Sequence, residues 1–230
     1  MAGLIDMIGI EALRRGSMRA GFSIFLSVFL AATVSAAVPV GSVVIYSDGS
    51  VEKFLGQDEG TFRWEDDRKR LFVRSNNPIV PLLEKTDFLS RRGYKQSVAS
   101  GDPDAIQRLS SGTEVEFTVV RITYDGEKST FSKRHWECVS LGKARQEVLG
   151  VQRDLDRYTC ERFVIHRKMG NRRFREKREF SYSPDLGLVV DLRRETRKNT
   201  STKRLVAIYP PNKTDYKSIS HAVRKFRTSK

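Results

Sequence analysis

The sequence predicts a mainly β protein: an antiparallel curled sheet, forming an open β-barrel or a β-sandwich, that ends in a short C-terminal helix. Three observations carry this reading. Short β-branched and aromatic runs alternate with polar residues at period two. Tight-turn dipeptides, Asp48-Gly49 and Asp125-Gly126 among them, separate those runs. Hydrophobic residues make up 39% of the chain and aromatics 10%, enough for a packed core, while 30% charge keeps the surface soluble.

In chain order, residues 1–37 are set apart. The uncharged run from Gly21 to Ala37 follows Arg14, Arg15 and Arg19 and ends in small residues, the pattern of a secretory signal cleaved after Ala36 or Ala37. An uncleaved anchor over 20–40 is the rival reading, because that stretch is just long enough to span a bilayer. Either way the chain is expected in the periplasm. No cysteine lies near the cleavage site, which disfavours a lipid-anchored lipoprotein.

A β domain is expected over 38–211. Val43 to Tyr46 and Ser50 to Leu55 form a hairpin about Asp48-Gly49; Thr61 to Trp64 and Arg70 to Arg74 form a second about the polar tip EDDRK. Pro78 and Pro81 then break regular structure before a short helical turn at Leu82 to Leu89. Residues 76–112 are expected to be largely loop, a seam between two halves. Beyond it, Val115, Phe117, Val119 and Arg121 share one strand face, and Thr118, Val120 and Ile122 the other. Val164 and Ile165 lead into the basic turn HRKMGNRRFREKREF; Phe180 to Tyr182 return, SPDLGLVVDLRRET follows, and Arg204 to Tyr209 close the domain before Pro210 and Pro211. In 212–230, Tyr216, Ile219, Val223 and Phe226 fall at helical spacing, a basic amphipathic helix that packs on the sheet or makes peripheral membrane contact.

Cys138 and Cys160 are the only cysteines. In an oxidising compartment two cysteines usually bond to each other. A zinc site needs a second close ligand pair beside His135-x-x-Cys138, and none follows. A turn at Gly142-Lys143, leading through 144–149 to a third strand, would leave the cysteines two strands apart, about 9.5 Å. That exceeds the roughly 7 Å a disulfide tolerates. The cysteine strands are therefore expected to be neighbours, with Trp136 sharing the face of Cys138 and Tyr158 that of Cys160.

The chain carries 42 lysines and arginines against 28 acidic residues, a net charge of +14, which attracts polyanions. Lys168, Arg172, Arg173, Arg175, Lys177 and Arg178 crowd one predicted hairpin, and Arg193, Arg194, Arg197, Lys198, Lys203 and Arg204 the next. These twelve are the candidate anion-binding residues, since guanidinium forks suit phosphate. A solvated edge that resists aggregation is the bland alternative. Serine-hydrolase, zinc-protease and phosphate-loop motifs are missing, so no catalytic residue, cofactor or metal is singled out.

The order GDPDAIQRLSSG, G-x-x-V-x-F at Gly112 to Phe117, W-x-C at Trp136, Y-x-C at Tyr158 and YSPDLGLVV at Tyr182 to Val190 resembles a group of uncharacterised exported proteins of alphaproteobacteria. More loosely, the chain is similar to open-barrel envelope proteins such as the periplasmic lipoprotein carriers. The resemblance implies a binder or carrier in envelope maintenance. Charges on both strand faces depart from what a lipid-carrying cavity needs. The expectation is thus a non-enzymatic periplasmic protein supporting the cell envelope. It would bind an anionic component (lipopolysaccharide, phospholipid or cell-wall polymer) or an envelope protein through its basic surface. Export disfavours nucleic acid. A carrier of an apolar ligand and an envelope hydrolase with a carboxylate site are the alternatives.

Overall fold

Side chains two apart on a strand share a face, and twelve segments of this chain use that rule to turn one face inward. The computed structural model describes residues 38–108, 111–165, 172–214, 219–221 and 223–224. The expected signal at 1–37 and the hairpin tip with Lys168 lie outside the described residues. The strands are β1 (Val43–Tyr46), β2 (Val51–Asp58), β3 (Thr61–Asp66), β4 (Leu71–Ser75), β5 (Leu82–Asp87), β6 (Arg92–Ser100), β7 (Glu114–Asp125), β8 (Lys128–Val148), β9 (Val151–Ile165), β10 (Arg172–Ser183), β11 (Leu188–Thr196) and β12 (Thr200–Tyr209). A one-turn helix, α1 (Ala105–Arg108), sits between β6 and β7. Each strand pairs antiparallel with the next, and β12 pairs with β1, so the sheet closes into a barrel. It is one closed sheet, neither open nor split into a sandwich.

One end of the lumen is plugged. The β4–β5 connection folds inward, burying the run from Asn77 to Val80. Asn77 Oδ1 accepts the backbone N–H groups of Ile79 and Val80 at 2.9 and 3.1 Å, and its Nδ2 donates to Asp104 at 2.6 Å. The last bond ties the plug to the α1 segment, whose Ile106 is also buried among Phe117, Val119 and Trp136. Asp104 and Ile106 of the GDPDAIQR segment thus help to stop the barrel.

Two expectations fail, for one reason. Residues 76–112 are not a loop and no seam exists: β5 replaces the turn at Leu82 to Leu89, and β6 pairs along β7 from Arg92 to Ser100. Their inward positions carry Lys85, Tyr94 and Gln96, so the apolar alternation that marks a strand is absent. The turn at Gly142-Lys143, set aside above as incompatible with a disulfide, does not form. β8 runs on to Val148, Gly142 is a bulge with φ +78°, and the chain reverses at Leu149-Gly150, where both φ values are positive, as a two-residue type I′ hairpin requires.

The cysteine strands are neighbours, as expected. Cys138 stands directly opposite Cys160, the two are bonded, and both side chains are buried on the inner face with Trp136 and Tyr158. Residues 219–221 and 223–224 are helical, and Ile219 and Val223 pack on the outer face of β1 against Val43 and Ile45. That contact accords with a helix seated on the sheet; Tyr216 and Phe226 lie outside the described residues. Mass analysis without reductant should find no free thiol. Replacing both cysteines by alanine removes a bridge across 22 residues, and should cost about 3 kcal/mol in urea unfolding on the loop-entropy estimate.

Candidate functional site

Closure decides where each basic residue points. Across β10 and β11 the opposed pairs facing inward are Arg178–Arg194 and Phe180–Leu192; those facing outward are Lys177–Glu195 and Glu179–Arg193. Lys203, opposite Leu192 on β12, also points inward. The twelve candidate cations therefore do not form one surface. Arg178, Arg194 and Lys203 belong to the lumen. Arg172, Lys177, Arg193 and Arg204 lie outside and pair with Glu137, Glu179, Glu179 and Asp191 respectively. Arg173, Arg175, Arg197 and Lys198 are exposed.

Inward-facing charges gather around a cavity of about 350 Å³ lined by Arg121, Arg134, Arg162, Arg178 and Arg194, with Glu176 as its only carboxylate. Tyr94, Gln96, Phe117 and Trp136 are also in its wall. Ile79, Val80 and Pro81 of the plug close the cavity on one side. Glu176 is buried and multiply held. Arg178 Nη2 and Arg162 Nε donate to its Oε1 at 2.6 and 3.2 Å, and Arg194 Nε donates to its Oε2 at 2.7 Å. Arg121 donates to Gln96 at 2.6 and 2.9 Å and lies 3.7 Å over the Tyr94 ring. Arg178 stacks on Trp136 at 4.8 Å.

Electrostatics make this cavity hungry for negative charge. Burial would raise the Glu176 carboxyl, but Arg178, Arg162 and Arg194 overcome it and hold the group below the usual carboxylate range. Burial, with Arg121 and Arg162 nearby, pushes Arg134 down to about 10, so it stays charged at neutral pH. The Nε donors of Arg134 and Arg178 are buried without an acceptor among the described residues. An unmatched buried donor costs about 1–3 kcal/mol, and such groups in native proteins call for a partner.

A second buried carboxylate, Glu52, stands across the lumen. Arg74 donates to it at 2.8 Å and Lys203 at 2.9 Å. Burial opposes its ionisation, yet these two cations lower its pKa. On the outer face, His135 Nε2 lies 3.3 Å from Glu137 and 3.7 Å from Glu116. Arg172 reaches the same Glu137, and burial, then Arg172, lowers the His135 pKa. The sequence reading missed Arg121, Arg134, Arg162 and Glu176 as a set. A signal existed, since Arg121 extends the apolar face of Val115, Phe117 and Val119.

Glu176→Gln would leave three arginines around a neutral amide, and should destabilise the protein by about 3–5 kcal/mol in urea unfolding near neutral pH. Because the folded pKa of Glu176 is lowered, its contribution is complete above the ordinary carboxylate range and is lost as pH falls through the folded value. The gap between wild-type and variant stability should therefore close in acid.

No family model matches the chain, and no curated protein matches it. Among solved structures the chain is similar to the hypothetical lipoprotein YmcC from Escherichia coli (K12), with a TM-score of 0.49 and 11% identity, over 76% of this chain and 89% of that one.

Proposed function

We propose that this is a non-enzymatic periplasmic protein that supports the cell envelope by binding an anionic envelope component inside its barrel. The observation that carries this reading is the cavity itself: five guanidinium groups against one carboxylate, with two buried donors unmatched. Lipopolysaccharide, phospholipids and cell-wall polymers all offer the phosphate or carboxylate groups such a cavity would take. The buried disulfide supports an oxidising compartment. The split of the basic residues supports a site in the lumen rather than on the outer surface. The outer cations that pair with carboxylates hold no comparable surplus.

Glu52 and Glu176 are not poised as an acid–base pair. Hydrolysis by two carboxylates needs environments that push their pKa values apart. Glu52 and Glu176 are both pushed down, so both stay ionised and neither has a proton to donate at neutral pH.

Inorganic pyrophosphate is a suitable first probe. Calorimetry should show binding that weakens with salt, and the double variant Arg121→Gln, Arg134→Gln should lose at least about tenfold in affinity, the loss of one charge-assisted hydrogen bond. Reversing the exposed Arg175, Arg197 and Lys198 to glutamate should change it little. Binding abolished by the outer reversals and untouched by the inner pair would overturn the lumenal assignment.

A further inference from the structure

The lumen holds a second compartment, and its chemistry differs from the first. It is a cavity of about 240 Å³ walled largely by Phe62, Trp64, Leu82, Phe180, Leu188 and Leu192. The cations at its edge, Arg74 and Lys203, are already engaged by Glu52, and Lys203 also lies 3.9 Å over the Tyr46 ring. The two compartments are contiguous: Pro81, Leu82, Arg178 and Arg194 line both. Along β10 and β11 the inward pairs change from Arg178–Arg194 to Phe180–Leu192 to Tyr182–Val189. Two residues advance about 7 Å along a strand, so the wall passes from cationic to apolar within the length of a headgroup.

Resting on the anion-binding reading above, we infer that the ligand is an amphiphile: a phosphate monoester head in the arginine cavity, with its hydrocarbon chain in the aromatic compartment. A phosphate monoester carries about −1.5 to −2 at neutral pH and three acceptor oxygens. It answers the surplus of guanidinium charge and the unmatched Nε donors better than a single carboxylate does. The chain then covers apolar wall that no side chain fills, and the sharing of Arg178 and Arg194 sets head and tail side by side.

Wild-type protein titrated with decyl phosphate and with inorganic phosphate, both below micellar concentrations, tests this directly. Decyl phosphate should bind at least about 100-fold more tightly, since each buried methylene multiplies affinity roughly fourfold. The chain has only two tryptophans, and Trp64 lines the apolar compartment whereas Trp136 lines the arginine cavity. A terminally brominated decyl phosphate should quench Trp64 in the Trp136→Phe variant and leave Trp136 bright in Trp64→Phe. Equal affinity for the two phosphates, or quenching of Trp136 alone, would overturn the amphiphile and leave the anion site standing. Decyl glucoside binding as tightly as decyl phosphate, or no binding of either phosphate, would overturn both.

Discussion

A closed sheet of twelve strands has no edges, and it therefore has an inside that must be dealt with. About eight strands enclose a space that side chains fill, whereas sixteen or more leave a water channel. Twelve fall between these limits. Here the excess volume is divided: Ile79, Val80 and Ile106 stop one end, Trp64, Phe54 and Leu155 pack in one cluster, and the remainder stays as two adjoining cavities. The closure of β12 on β1 thus determines both that there is a core and that the core is incomplete.

Placing charge in that interior is costly unless it is paired, and the pairing is uneven. Glu52 meets two cations and Glu176 meets three, in both cases with short hydrogen bonds. Such clusters rarely outperform a hydrophobic core in stability, so their presence is better explained by what they hold in place. Glu176 gathers Arg162, Arg178 and Arg194 from three different strands, and their planar forks are oriented before any ligand arrives. Among the described residues Arg121 and Arg134 have no carboxylate of their own, and they supply the surplus.

Much of the fold was legible because a half-buried strand with an apolar inner face announces itself. β1, β7 and the cysteine strands did so through Val43 to Tyr46, Val115 to Val119 and the W-x-C and Y-x-C pairs. β5 and β6 did not, since Lys85, Tyr94 and Gln96 face a polar lumen and erase the alternation. The same effect hid the site. A reader of basic clusters sees contiguous charge in RRFREKREF and treats it as surface, but period two sends Glu176 and Arg178 inward while Lys177 and Glu179 go outward. Which face is inner depends on closure, and closure depends on pairings between residues more than 150 positions apart, such as Val43 with Tyr209. No local pattern encodes that.

The disulfide takes on meaning in this setting. Cys138 and Cys160 are directly opposed on strands already joined by backbone hydrogen bonds, so the bridge adds little topology. Its position is more telling. Cys160 lies opposite Arg178 on the next strand, and one inward step further along sit Trp136 and Arg162. The bridge thus pins β8 and β9 where Arg134, Arg162 and Arg178 repel one another, and a wall free to spread there would relieve that repulsion by moving the guanidinium groups apart. Covalent restraint keeps them converged, which lowers the reorganisation an incoming anion must otherwise supply. By the same linkage, an anion that relieves the repulsion stabilises the folded barrel in proportion to its occupancy, so binding and folding stability rest on the same few side chains.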